Sequence, residues 1–293
     1  MPELPDITIY IEALEQRILG DPMTDARIAN PFVLRTVQPP LSRIVGQRVK
    51  GIRRMGKRIV LEFDEDLFLV IHLMIAGRLR WRESNDAAVR PAPLARFEFP
   101  KGVLFLTEAG KKRRASVHLV EGESGLAEFE RGGLEVMTSS VAEFAERLRK
   151  ENHTVKRSLT DPRLFSGIGN AYSDEILHQA RMSPLLLTSR MTDAQIATLH
   201  TSVLEVLEKW TKALRVELGG AFPEKVTAFR EEMAVHGRFG KPCPVCGAPV
   251  QRIRYADNET NYCARCQTGG RLLADRAMSR LLKQDWPRSL DDL

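Results

Sequence analysis

Cys243-Pro244-Val245-Cys246, then sixteen intervening residues, then Cys263-Ala264-Arg265-Cys266: these two knuckles decide how the C-terminal part of the chain must fold. Each knuckle puts two thiols on one tight turn, and two such turns together offer four thiolates to a tetrahedral zinc ion. Gln251 to Tyr255 and Thr260 to Tyr262 read as the arms of a β-hairpin between them. A module this small buries too little apolar surface to fold without its metal. Two disulfides are the competing reading, but this spacing suits a metal better, and no cysteine precedes Cys243. Four cysteines leave no open coordination position, so one structural zinc held by Cys243, Cys246, Cys263 and Cys266 is expected rather than a catalytic one.

Working outward, Gly237, Gly240 and Pro242 introduce this module, and the pattern before them is helical. Helices are predicted over 141 to 150, 152 to 159, 171 to 180 and about 193 to 217, following a break at Gly132-Gly133. Earlier still the pattern is β-rich: Arg58 to Phe63, Leu67 to Leu73, Arg96 to Phe99 and Val103 to Leu106 read as strands of a sandwich or barrel. Ile7, Ile11, Leu14 and Ile18 recur at helical spacing ahead of Gly20, so residues 5 to 19 read as an amphipathic helix with Pro2 just outside it. Leu273, Ala277 and Leu281 suggest one more helix near the end. The expected class is α+β, with a β-sandwich domain and its leading helix over 1–132, a helical domain over 133–236, the zinc finger over 237–270 and an extension over 271–293.

Of the 293 residues 43% are hydrophobic, enough for real cores, and no apolar run approaches the roughly 18 residues of a membrane helix. The first residues carry acids and no basic segment followed by an apolar one, so export is not expected and the cytoplasm is the expected compartment. A net charge of +6 favours a polyanionic partner. Two basic groups, Arg53-Arg54 with Lys57-Arg58 and Lys111 to Arg114, could equally be solvated turns.

Pro2-Glu3-Leu4-Pro5, Gly56-Lys57 before a strand, Gly167-Ile168-Gly169-Asn170-Ala171-Tyr172-Ser173-Asp174-Glu175-Ile176-Leu177 and the four-cysteine finger, in this order, resemble the formamidopyrimidine-DNA glycosylase and endonuclease VIII family. The resemblance spans essentially the whole chain. It implies a base-excision enzyme acting on damaged double-stranded DNA as a monomer, with glycosylase and abasic-site lyase activities. Pro2, freed by removal of Met1, would be the nucleophile that forms a Schiff base. A terminal amine has a pKa of roughly 7.7 to 8.0, well below that of a lysine side chain, so more of it is neutral at cellular pH. Glu3 would assist sugar-ring opening, and Lys57 would approach the phosphate and take part in proton transfer. The loop ending at Gly169 and Asn170, with Lys156, would grip a phosphate flanking the lesion. His72 and Ile75 would face DNA from the β-domain, Ile75 as a wedge in the gap left by the flipped base. The bland counterparts are a helix-start carboxylate for Glu3, a hairpin charge for Lys57 and an N-cap for Asn170.

The chain departs from the family in three places. Asn258 stands where the family's finger carries a phosphate-gripping arginine, and an amide cannot replace a bidentate guanidinium. Asp257 and Glu259 flank it, so a weaker grip and an impaired second (δ) elimination are expected. Ile75 replaces a common methionine, and Thr107 to Arg114 replaces an aspartate-proline-arginine-arginine-phenylalanine run, so opposite-base preference is unassigned. The rival reading is a DNA lesion- or structure-binding protein of the same fold with weak catalysis; a zinc-ribbon adaptor would not explain Pro2.

Overall fold

Leu4–Ile18 forms helix α1, and its start is set locally: Pro5 needs no helical N–H partner, and Asp6 Oδ2 accepts the Glu3 N–H at 2.9 Å. Ile7, Tyr10, Leu14 and Ile18 bury one face of it, with Ile11 packed at the edge. The computed structural model describes residues 1–292 apart from 84–88, 110–111, 225, 228–229, 256–257 and 274–287. The helix suggested by Leu273, Ala277 and Leu281 falls largely on 274–287, outside the described residues.

Eight strands follow: β1 (Asp25–Ile28), β2 (Val49–Met55), β3 (Arg58–Phe63), β4 (Leu67–His72), β5 (Gly77–Arg82), β6 (Ala95–Phe99), β7 (Gly102–Glu108) and β8 (Ser116–Glu121). They make two antiparallel four-stranded sheets, in the orders β1-β6-β7-β5 and β2-β3-β4-β8. Ile59, Leu61, Leu69, Ile71, Val117 and Leu119 of one sheet share a core with Leu79, Phe97, Leu104 and Leu106 of the other, as a sandwich requires. β3 and β4 are apolar on both faces for a separate reason. Val60, Phe68, Val70 and Val120 point away from that core and are covered by Leu126 of the short helix α2 (Gly122–Ala127) and by Phe129.

The β4–β5 connection is tight. Met74 adopts φ 52°, Gly77 N–H donates to the Leu73 carbonyl at 2.9 Å, and Ile75 stands out 60% exposed. A β-carbon on Gly77 would lie 2.2 Å from the Leu73 oxygen, a contact no rotamer relieves because both partners are backbone.

The helical part contains α3 (Val141–Arg149), α4 (Val155–Thr160), α5 (Asn170–Gln179) and α6 (Asp193–Leu218). α3 opens with a capping box: Ser140 Oγ accepts the Glu143 N–H at 3.2 Å, and Glu143 returns an oxygen to the Ser140 N–H at 2.8 Å. α4 begins later than the sequence pattern suggests because residues 151–153 lie outside the helix and Thr154 is its N-cap. The finger is the hairpin β9 (Gln251–Tyr255) and β10 (Asn258–Tyr262), followed by α7 (Ala264–Thr268).

Contacts divide the chain into one unit of Met1–Arg131 with Lys209–Thr227 and another of Gly132–Glu208 with Ala228–Leu293. The last turns of α6 and the segment after it therefore join the sandwich rather than the helices before them. The causes are local: Phe222 and Val226 pack into the sandwich core, Glu224 pairs with Arg80 and Arg82, and Arg215 forms a two-pronged pair with Glu12.

Gly77→Ala is expected to lower stability by about 3 kcal/mol through this backbone clash. Urea unfolding checks it, and a loss under about 1 kcal/mol would mean that the β4–β5 turn rearranges freely.

Candidate active site and nucleic-acid interface

At the start of α1 the backbone buries Pro2 and Glu3 together. The Met1 amine that precedes them is held below the usual range of a terminal amine, first by burial. Arg78 and Lys57 depress it further, while Glu3 and Asp6 oppose them. An amine in this place is therefore neutral, and nucleophilic, at a lower pH than one in water. Lys57 reaches it from a two-residue hairpin: Met55 pairs with Arg58, and Gly56 occupies the first turn position with φ 60°, a conformation that favours glycine. Arg78 was not singled out by the sequence. It lies on β5, and its Nη1 is held by the carbonyls of Ile75 and Gly77 at 3.2 and 2.6 Å.

His72 ends β4, opposite Arg58 on one side and Ser116 on the other. Burial pushes its imidazole down to about 4, with Arg58, Lys57 and His118 adding to the effect. The basic group around it is not a uniform free patch. Arg53 pairs with Glu62 and Glu123, and Arg54 donates to the Gly56 carbonyl at 2.8 Å. The second group differs: Glu108, buried at the end of β7, accepts the backbone N–H groups of Arg114 and Ala115, leaving the Lys112, Arg113 and Arg114 side chains exposed; Lys111 lies outside the described residues.

In the second unit, α4, two turns through Gly167 at φ 82° and α5 form a helix–turn–turn–helix element. Gly169, not Asn170, is the N-cap of α5. The Asn170 side-chain amide instead donates to the Glu259 carbonyl at 2.8 Å, joining the helix start to β10. Lys156 sits beneath it with 11% of its side chain exposed, and donates to Asn170 O at 3.0 Å, Ser173 Oγ at 2.9 Å and Asp174 Oδ1 at 2.5 Å. An ammonium has three donors, and these three bonds use them. Asp174, fully buried, also accepts from His236 Nδ1 at 2.8 Å and from Asn261 N–H at 3.1 Å. Its neighbour Glu175 receives the N–H groups of Ala234, Val235 and His236, while burial pushes its carboxyl up. The Asp174-Glu175 pair thus fastens α5 to the chain entering the finger and to the finger itself, a role the motif alone did not disclose.

The four cysteines are free thiols whose sulfurs all lie within 4.8 Å of one another, with Cys243–Cys266 at 3.9 Å and Cys246–Cys263 at 3.4 Å. Zinc–sulfur bonds of about 2.3 Å put tetrahedral ligands ~3.8 Å apart, so the donor set fits one structural zinc ion. Gln267 braces it, accepting Cys263 N–H and donating to the Met182 carbonyl, each at 2.8 Å. Asn258 is exposed at the hairpin tip, opposite Tyr255. The carboxylate of Glu259 beside it is not left bare, because Arg252 and Arg254 approach it at 3.3 and 3.5 Å; Asp257 lies outside the described residues.

Family models match along the chain: the formamidopyrimidine-DNA glycosylase N-terminal domain over residues 1–114, its H2TH domain over 134–221, and the zinc finger found in FPG and IleRS over 240–269. A formamidopyrimidine-DNA glycosylase of Desulforamulus reducens is 30% identical over 287 residues, covering 91% of this chain and 99% of the relative. An uncharacterized formamidopyrimidine-DNA glycosylase-like protein of Mycobacterium tuberculosis is 41% identical over 151 residues, 52% of this chain and 94% of that one. Among solved structures, the complex of Lactococcus lactis Fpg with DNA containing an abasic site superposes with TM-score 0.79 at 28% identity, covering 91% of this chain and 99% of that one. MutM in complex with DNA containing carbocyclic 8-oxo-G gives the same score and identity. A mixed α/β sandwich, a helix–turn–turn–helix element and a four-cysteine finger in one chain define a zinc-finger DNA-repair glycosylase. The chain belongs to the formamidopyrimidine-DNA glycosylase family.

Two outcomes are expected. The His72 ring should titrate near about 4 in the free protein. Its folded pKa lies below the unfolded value of about 6.5, so the stability it contributes is present above about 6.5 and is lost as pH falls towards 4. NMR titration with unfolding curves at several pH values checks this, and a midpoint near 6.5 would contradict it. Asp174→Ala strands Lys156 and His236 and should cost about 3 to 5 kcal/mol in urea unfolding; a loss below about 1 kcal/mol would mean that both side chains reach water.

Proposed function

We propose that this protein removes damaged bases from double-stranded DNA and cleaves the resulting abasic strand, using the Pro2 amine as nucleophile once Met1 is removed. The observation that carries the reading is the buried Pro2-Glu3 start of α1, where an amine is kept below its usual pKa and has Lys57 and Arg78 as electrostatic neighbours. The neutral amine attacks C1′ of the deoxyribose, and the glycosidic C–N bond breaks as the base leaves with a proton. Glu3 supplies the proton that opens the sugar ring at O4′, giving the iminium. That cation acidifies the C2′ proton; its removal expels the 3′ phosphate, and water then releases the protein. Lys57 and His72 face the phosphate of this nucleotide, and Ile75, exposed on its rigid turn, enters the gap left by the flipped base.

The N–H groups around Gly169 and the start of α5 hold a flanking phosphate. Asn170 contributes through its link to the finger, and Lys156 acts as a positioning residue beneath that helix start. Asn258 offers at most a neutral hydrogen bond, so β-elimination dominates over the second, δ, step. No described helix is long and apolar enough to cross a membrane, and the protein acts as a monomer in the cytoplasm, where its substrate lies.

Borohydride trapping on a duplex with one abasic site tests this. A covalent adduct at the N-terminus, lost or greatly reduced in Pro2→Gly, with mainly β-elimination product, is expected. Intact binding without an adduct, with mass spectrometry confirming a free Pro2, would overturn the catalytic reading in favour of a DNA lesion-binding protein. Undiminished double elimination would refute the role given to Asn258.

A further inference from the structure

The outer face of the sheet β2-β3-β4-β8 carries two basic side chains, Arg58 and His118, that the reaction described above does not use. Arg58 stands directly opposite His72 in the β3–β4 register. His118, on β8, pairs with Val70, two residues before His72 and therefore on the same face. Phe129 ties this group together. Its carbonyl accepts from Arg58 Nη1 at 3.3 Å, the guanidinium lies 5.8 Å over its ring, and the His118 ring meets it edge-on at 4.8 Å between centroids.

Arg58, His72 and His118 are half-buried, and among the described residues none has a carboxylate partner. The charges that reach them are of one sign: Arg131 acts on Arg58; Arg58, Lys57 and His118 act on His72; Arg58 and Arg35 act on His118. His118 Nδ1 is buried with no hydrogen-bond partner. On the same sheet Arg53 shows the ordinary solution, pairing with Glu62 and Glu123. A guanidinium withdrawn from water without an anion costs free energy, as does a buried imidazole nitrogen without a hydrogen bond, and an anion from outside the chain offsets the first cost. Lys57 joins the group to the reacting end of the molecule, since it acts on both the terminal amine and His72.

We infer that Arg58 and His118 bind a phosphodiester of the nucleic-acid backbone one step beyond the phosphate faced by Lys57 and His72. The outer face of this sheet then tracks the strand leading away from the reacting nucleotide. Naming that strand as DNA rests on the glycosylase reading above. The guanidinium offers paired donors to phosphate oxygens, and the His118 ring adds one more, while Phe129 keeps both from turning away.

Binding of an undamaged duplex at several salt concentrations tests the contact separately from the chemistry. Each phosphate contact contributes about 0.9 to the slope of log affinity against log salt. The Arg58→Gln, His118→Leu double variant is expected to lose about one unit of slope and about tenfold in affinity at low salt, whereas Arg58→Lys, which keeps the charge, retains most of the slope. An unchanged slope in the double variant, with Tm preserved, overturns the inference; so does an equal loss in Arg58→Lys accompanied by the same fall in Tm, which marks a packing role. Should the double variant not fold, the wild-type His118 ring resonances decide. They should move on adding duplex and not on adding inorganic phosphate at matched ionic strength; movement with phosphate alone, or with neither, overturns the contact. Wild-type protein that shows the full slope but traps no abasic-site adduct would defeat the glycosylase reading and leave the phosphate contact standing.

Discussion

Asp174 is a carboxylate with no exposure to water that accepts hydrogen bonds from an ammonium, an imidazole and a backbone amide of the finger. Burying such a charge is unfavourable unless every lone pair finds a donor, and here the donors come from α4, from the segment before the finger and from β10. Three stretches distant in sequence are brought together by this one group. Glu175, next along α5, repeats the arrangement with three consecutive backbone N–H groups. The position of the finger hairpin relative to the start of α5 follows from these two acids as much as from the metal.

This constraint changes how Lys156 and Asn170 are to be understood. Both look like phosphate ligands from their place in the motif, and both turn inward, Lys156 to Asp174 and Asn170 to the Glu259 carbonyl. What they leave for an anion is the helix start itself, with its N–H groups held in place. The finger tip has a related economy. Arg252 and Arg254 both approach Glu259, and Asn258 beside it adds no charge of its own. On the sandwich, by contrast, the Lys112 to Arg114 side chains are exposed.

The N-terminal site obeys the opposite logic from the Asp174 network. There burial, Arg78 and Lys57 lower the pKa of the Met1 amine, with Glu3 and Asp6 limiting the effect. Desolvation demands partners for Asp174, whereas at the N-terminus it favours the neutral form of the amine. The N-terminal site depends on short-range geometry set by two turns, the Gly56-Lys57 hairpin and the Met74–Gly77 turn.

Much was legible in the residues alone, because local physics determines it. The helix of α1, the strands over 58–63 and 67–72 and the four-cysteine ligand set depend on spacing and on near neighbours, which a linear chain displays. The order of Pro2, Lys57, the Gly169-Asn170 loop and the cysteines was enough to indicate a family. Tertiary structure alone decided which charges are paired. Nothing in the sequence separates Arg53, neutralised by two glutamates, from Arg58, which among the described residues meets an aromatic ring and a carbonyl. Nor does it show that residues after Lys209 return to the sandwich, or that Asp174 would gather three donors. Such contacts join residues far apart along the chain, and their energies depend on distance and burial, which only the folded molecule possesses.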